Sequence, residues 1–235
     1  MVKSRLKLHD WDLSADEAIA LQHVLAPRVV HQNAFGEVRR VAGIDVGFPG
    51  SGDVARAAVA VLSYPDLELL ETARAELPVT FPYVPGLLSF REAPAILAAY
   101  ERLHTEPDLL IFDGQGIAHR RRFGIAAHVG LWLDKPSIGS AKSILVGRHG
   151  PLGHEAGSTA ELVDRGEVVG LAVRTRRGVT PVYVSIGHRI DLPAAARFVL
   201  GCCRRYRLPE PQRQAHLAAS GPPRARSKEQ VARSK

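Results

Sequence analysis

Along this chain apolar positions recur first at helical and then at strand spacing, and the alternation predicts its elements. Ser14 and Glu17 stand as a capping box ahead of Ile19, Leu21, Val24 and Leu25, which predicts a helix to about Pro27. Three strand-like runs follow, Val38 to Val46, Ala55 to Tyr64 and Leu67 to Leu77. Their links, Phe48 to Asp53 and Pro65 to Asp66, are short and rich in turn residues, as an antiparallel meander requires. After a proline-rich loop, Pro78 to Gly86, the pattern reads helix from Ser89 to His104, strand from Leu109 to Phe112, a helical stretch, and a strand around Ser137 to Ile138. Strands separated by helices are expected to lie parallel in one sheet, with right-handed crossovers. The last third adds strands near Val168 to Arg174 and Val182 to Ile186, and a helix from Leu192 to Tyr206.

Composition narrows the class. With 46% apolar and 23% charged residues among 235, the chain is an ordinary globular one, which excludes wholesale disorder and fibrous repeats. It reads as a single domain over residues 1–219 with a basic tail over 220–235, whose composition predicts disorder. A formal charge of +7 favours an anionic partner, nucleic acid first. The adjacent Cys202 and Cys203 match neither a disulfide scaffold nor a zinc ribbon. No run approaches the ~18 apolar residues of a membrane span, and the charged start lacks a secretion signal. A monomer in the reducing cytoplasm, without membrane contact, is the expectation.

Within this frame three acids carry the chemistry. Asp45 sits in the apolar strand Val41-Ala-Gly-Ile-Asp-Val-Gly-Phe48, where a lone carboxylate costs several kcal/mol unless paired or bound to a cation. Asp113 ends the apolar run Leu109 to Phe112, where open α/β sheets build their sites. If those strands are neighbours, the two carboxylates face each other. Glu92 is either a capping-box partner of Ser89 or a third ligand. Carboxylate oxygens without cysteine indicate Mg²⁺, with Mn²⁺ as a substitute, ahead of Zn²⁺. Asp113-Gly-Gln-Gly-Ile-Ala-His119 is no dinucleotide loop, because His119 occupies the third glycine position and Asp113 would repel a pyrophosphate. His119 and His216 can position water or shuttle protons, and Lys142 can contact a scissile phosphate; ordinary structural roles are open to all three. Tyr83, held between Pro82 and Pro85, can stack on or wedge between bases, or form a packing corner. Arg120 to Arg122 and Arg204, Arg205 and Arg207 are candidate phosphate contacts.

Four blocks together resemble the endonuclease V family: Ala42 to Phe48, Pro82 to Glu92, Phe112 to His119, and Gly187-His-Arg with Tyr206 to Pro211. The resemblance, from about Val41 to His216, implies an α/β ribonuclease H-like fold: a mixed central sheet, three-strand antiparallel meander plus parallel strands, flanked by helices. It implies a metal-dependent DNA repair endonuclease that recognises deoxyinosine and hydrolyses the second phosphodiester on the 3′ side, leaving 3′-hydroxyl and 5′-phosphate ends. Asp45, Glu92 and Asp113 match the family's metal-binding acids, His216 its fourth catalytic member, and His119 and Lys142 its supporting residues. Pro82, Tyr83, Val84 and Pro85 match the wedge; Gly86, Leu88, Gly114 and Gly116 match walls around a flipped base, consistent with base flipping. Two departures stand out: Val84 replaces the more usual Ile, and Ser140 the more usual Val. An inosine-specific endoribonuclease and an inactive nucleic-acid-binding module are the alternatives.

Overall fold

The computed structural model describes residues 7–220, so most of the expected basic tail lies outside the described residues. Helix α1 (Ala15–Leu25) starts at the expected capping box, Ser14 Oγ accepting from Glu17 N and Glu17 accepting from Ser14 N. Its inward residues Ala18, Gln22 and Leu25 lie on one face at helical spacing.

Strands β1 (Arg40–Gly47), β2 (Val54–Ser63) and β3 (Leu69–Pro78) form the antiparallel meander. Helices α2 (Leu88–Tyr100) and α3 (Ile125–Leu133) alternate with β4 (Leu109–Phe112) and β5 (Ser137–Ala141), and β1, β4 and β5 run parallel, as their helical connections require. All four residues of β4 are buried, as befits a strand covered on both faces. Strands β6 (Arg148–His149) and β7 (Thr159–Asp164) extend the sheet further than the sequence suggests, and the expected last strands, β8 (Glu167–Val173) and β9 (Val182–His188), join the same sheet, in the order β3-β2-β1-β4-β5-β9-β8-β7-β6. Strand β9 is antiparallel to β5. Strand β7 carries no signal in the sequence because only Leu162 of its six residues is buried, which leaves no apolar alternation.

The C-terminal helices correct the sequence reading. Helix α4 (Leu192–Gly201) stops short of the expected Tyr206, and a further helix, α5 (Glu210–Ser220), occupies the stretch after the expected last helix. Pro209 and Pro211 look like breakers, yet a proline in the first turn is compatible with a helix because its missing N–H has no intrahelical partner there.

Two apolar layers flank the sheet. Val41, Leu109 and Ile111 face Ala195 and Val199 of α4 and Ala215 of α5. The alternate residues Ala42, Ile44, Leu110 and Phe112 face Ala93, Ile96 and Tyr100 of α2.

Candidate active site

Backbone register brings the two aspartates together. Ile44 pairs with Phe112 across the parallel β1 and β4, so Asp45 and Asp113 follow side by side at the strands' C-terminal ends; the Asp113 amide donates to Ile44 O at 3.0 Å. Two glycines bring in His216. Residues 43, 45 and 47 share a face of β1, and an added Cβ would lie 1.9 Å from Pro211 O at Gly43 and 2.8 Å from Ala219 O at Gly47. Helix α5 therefore rests backbone to backbone on β1. From residue 43 to 47 a strand rises about 13 Å, and from 211 to 219 a helix rises about 12 Å, so the two run in step with Asp45 and His216 between the contacts. His216 Nδ1 lies 2.6 Å from Asp45 Oδ2. Ligand-capable atoms of Asp45, Asp113 and His216 all fall within 4.8 Å of one another.

The electrostatics match a cation-binding cluster. Burial raises the Asp45 carboxyl above its ordinary range, the Asp113 charge adds to this, and the bonds to His216 and to Val46 N oppose it. Lys142, just past β5, pairs with Asp113, and Arg207 Nη2 holds that lysine's carbonyl at 2.7 Å.

Glu92 is buried on α2, and its carboxyl is pushed up to about 8 by burial first, then by Asp45 and Asp113. It therefore shares the field of the two aspartates. The capping box with Ser89 does not form: Ser89 is the second residue of α2, the N-cap is Leu87 without a side-chain bond, and Ser89 Oγ meets His128 Nδ1 at 2.9 Å. A serine already inside the helix faces the core and cannot reach back over the first turn.

Gln115, two residues past Asp113, and Ser89, three before Glu92, line a cavity of about 160 Å³ together with Tyr83, Val84, Pro85, Gly86 and Leu88. Tyr83 is 72% exposed, so the packing-corner reading fails and the ring stands free at the rim. Pro82 is exposed outside the lining. Gly114 and Gly116, expected as walls, are not in the lining either: a Cβ at Gly116 would lie 1.9 Å from Ile186 O, so this glycine lets the loop lie flat on β9 while Gln115 faces the cavity.

His119 lines the same cavity and is not among the clustered ligand atoms. Its Nδ1 accepts from Arg121 N at 3.2 Å and its Nε2 lies 3.0 Å from Gly86 O, which fixes a neutral ring with the proton on Nε2. Burial, then Arg121, lower it to about 4. With both nitrogens engaged it holds the loop; the proton-shuttle expectation does not fit this geometry.

Of the arginines expected on phosphates, Arg122 is bound to Asp164 and Glu167 and Arg207 to the carbonyls of Lys142 and Pro181, whereas Arg120 and Arg205 are exposed. Gln22, Gln115 and Leu145 line the cavity without having been singled out. The one available signal was Gln22, a polar residue on the inward stripe of α1.

Comparison with known proteins finds relatives that match over most of the chain. The family model described as Endonuclease V matches residues 23–217. The Endonuclease V of Trichormus variabilis is 53% identical over 213 residues, 90% of this chain and 96% of the relative. The crystal structure of Endonuclease V from Streptomyces avermitilis superposes with a TM-score of 0.86 at 41% identity, covering 89% of this chain and 93% of that one. The Ciona intestinalis Endonuclease V, crystallised with a 24mer DNA containing an inosine followed by a ribo-adenosine, superposes with a TM-score of 0.76 at 26% identity, covering 86% and 94%.

Proposed function

Since the chain belongs to the endonuclease V family, we propose that it is a repair endonuclease that captures deoxyinosine and hydrolyses the second phosphodiester on the lesion's 3′ side. The observation that carries this is the pairing of two features: the Asp45, Asp113 and His216 cluster with Glu92 in its field, and the cavity with the exposed Tyr83 in its lining, to which Gln115 and Ser89, two and three positions from Asp113 and Glu92, also contribute. A binding module would gain nothing from three acids set against a polyanion.

The donor set fits a hard divalent cation. Two carboxylates in adjacent register and a third pushed up to about 8 by burial, and then by their charge, form a site that a cation relieves. Asp45 and Asp113 would hold Mg²⁺, with Glu92 completing the acidic shell and Mn²⁺ able to replace it. The ion, when bound, supplies charge stabilisation to the phosphorane-like transition state and the leaving oxygen. His216 Nδ1 donates to Asp45, so its Nε2 keeps a lone pair for a proton from the attacking water. The water oxygen forms the new bond to phosphorus as P–O3′ breaks; the leaving oxygen takes a proton from solvent to become the 3′-hydroxyl, His216 returns its proton to solvent, and the phosphate stays 5′. Lys142, which pairs with Asp113, would offset charge on the scissile phosphate.

Discrimination follows from the cavity's donors. Helix α2 begins at its wall without a side-chain cap, so its first amides, at Leu88 and Ser89, favour an acceptor. Hypoxanthine presents a carbonyl oxygen where adenine presents an amino group. Tyr83 would fill the gap left by the extruded base.

The test is cleavage of matched strands carrying deoxyinosine or deoxyadenosine, and of an inosine-containing RNA, with Mg²⁺ and with chelator. Mg²⁺-dependent nicking two bonds 3′ to deoxyinosine is expected. Equal cutting of the deoxyadenosine strand, or cutting of the RNA alone, would overturn the reading.

A further inference from the structure

Gly86 closes the wedge loop with φ of +86°, and its carbonyl oxygen is met by three side chains from two other parts of the chain. Gln22 Nε2 lies at 3.1 Å, His119 Nε2 at 3.0 Å and Arg121 Nη2 at 2.8 Å. A carbonyl has two lone pairs, so three donors exceed what a turn needs. Gln22, 1% exposed, also donates to Phe123 O at 3.0 Å, while its Oε1 accepts from Arg121 Nε. Each of the three is tied to another: Gln22 to Arg121 through its amide, and Arg121 N to His119 Nδ1 at 3.2 Å.

A buried amide at a core-facing position of α1 is costly unless its bonds are used, and a leucine would fill that stripe more simply. One bond from each of the three side chains converges on one peptide, and Gln22 adds a second to Phe123 O. Fixing Gly86 O fixes the plane of the Gly86–Leu87 peptide, and Leu87 N donates to Val84 O at 2.9 Å across the wedge. The next amides are those of Leu88 and Ser89 at the cavity wall.

We propose that Gln22 and Arg121 are specificity-positioning residues: they clamp Gly86 so that the cavity presents its amides to a base bearing a carbonyl oxygen. The N-terminal helix α1 thereby takes part in lesion selection although it carries no group that touches the reacting phosphate. This rests on the deoxyinosine reading above.

The experiment compares Gln22→Leu and Arg121→Lys with the parent chain, using Ca²⁺ to hold duplexes uncut and fluorescence anisotropy to measure affinity for deoxyinosine and deoxyadenosine duplexes. The ratio of the two affinities is expected to fall about tenfold in Gln22→Leu, equivalent to about 1.4 kcal/mol of lost discrimination. It falls less in Arg121→Lys, which keeps the charge but not the forked reach. A role in packing alone would weaken both duplexes equally, and an unchanged ratio in folded variants overturns the clamp. If Gln22→Leu does not fold, Arg121→Lys decides. If the parent chain shows no preference for deoxyinosine, it is the function that fails, and hydrogen exchange at the Leu87 amide then judges the clamp. Faster exchange in the variants supports it, and unchanged exchange overturns it.

Discussion

His216 Nδ1 and Asp45 Oδ2 are 2.6 Å apart although 171 positions separate them in the chain. The carboxylate accepts, so the imidazole proton sits on Nδ1 and Nε2 keeps its lone pair, on a side chain that is 51% exposed. A water-activating base needs that lone pair. His216→Ala is expected to lower kcat by about 10²- to 10⁴-fold with deoxyinosine binding largely kept. His216→Asn restores a donor to Asp45 but no base, so it should be equally slow; wild-type turnover in that variant would reduce His216 to a partner of Asp45.

Glu92 sets a pH dependence of stability with a definite sign. Its folded carboxyl titrates near 8 against an ordinary 4.5, so between those values the folded state holds a proton that the unfolded chain has released. The stabilisation is fully present below about pH 4.5 and is lost as pH rises to 8. In chelator the melting temperature should therefore drop from pH 6 to pH 8, and Mg²⁺ at pH 8 should recover it. Glu92→Gln should flatten the slope and abolish cleavage. An unaltered slope in Glu92→Gln would assign the effect elsewhere.

The acids were readable from sequence because a carboxylate inside an apolar strand stands out against its neighbours, and the order of elements made β1 and β4 adjacent. Helix α5 was not, since two prolines and a polar composition hid it, and with it the reason His216 reaches Asp45. Gly43 and Gly47, spaced two either side of Asp45, held that information in plain view, but only a backbone packed against them reveals its meaning. Glu92 illustrates a genuine ambiguity: three residues after a serine it suits a cap or a ligand, and the helix start at Leu88 decides against the cap. Gln22 lay outside every motif block, because its partners come from loops more than 60 residues away.

Arg207 separates two roles that its charge alone cannot. Its Nη2 donates to Lys142 O and Pro181 O, both at 2.7 Å, so it braces the segment carrying Lys142. Arg207→Ala should lower kcat roughly tenfold, about 1.4 kcal/mol in barrier, and leave the salt dependence of duplex binding unaltered. A phosphate contact would instead flatten the log–log salt slope by about 0.9, and finding that change would return Arg207 to the binding surface.

Ser140, fully buried in β5, has a hydroxyl with no hydrogen-bond partner among the described residues, and its carbonyl accepts from Gln212 Nε2 at 3.0 Å. Removing the hydroxyl leaves the backbone bond intact. Ser140→Ala is expected to stabilise the fold by about 1 kcal/mol, from the relieved cost of an unpaired buried group. Urea unfolding measures it, and a destabilised variant would show that the hydroxyl is satisfied.

The seat of α5 on β1 yields the most demanding prediction. A methyl at Gly43 would stand 1.9 Å from Pro211 O and 2.5 Å from Gln212 N, both backbone atoms that cannot rotate away, so α5 must lift at its first turn. At Gly47 the nearest atom, Ala219 O, is 2.8 Å away at the last turn, where the helix end has more freedom. Gly43→Ala should therefore cost about 1–3 kcal/mol by overpacking, and Gly47→Ala less. Because the lift carries His216 away from Asp45, Gly43→Ala should also approach the kcat loss of His216→Ala. Adding Gly43→Ala to His216→Ala should then slow turnover little further, since both remove the same contact. Full additivity of the two losses would mean that α5 does not position the histidine through Gly43.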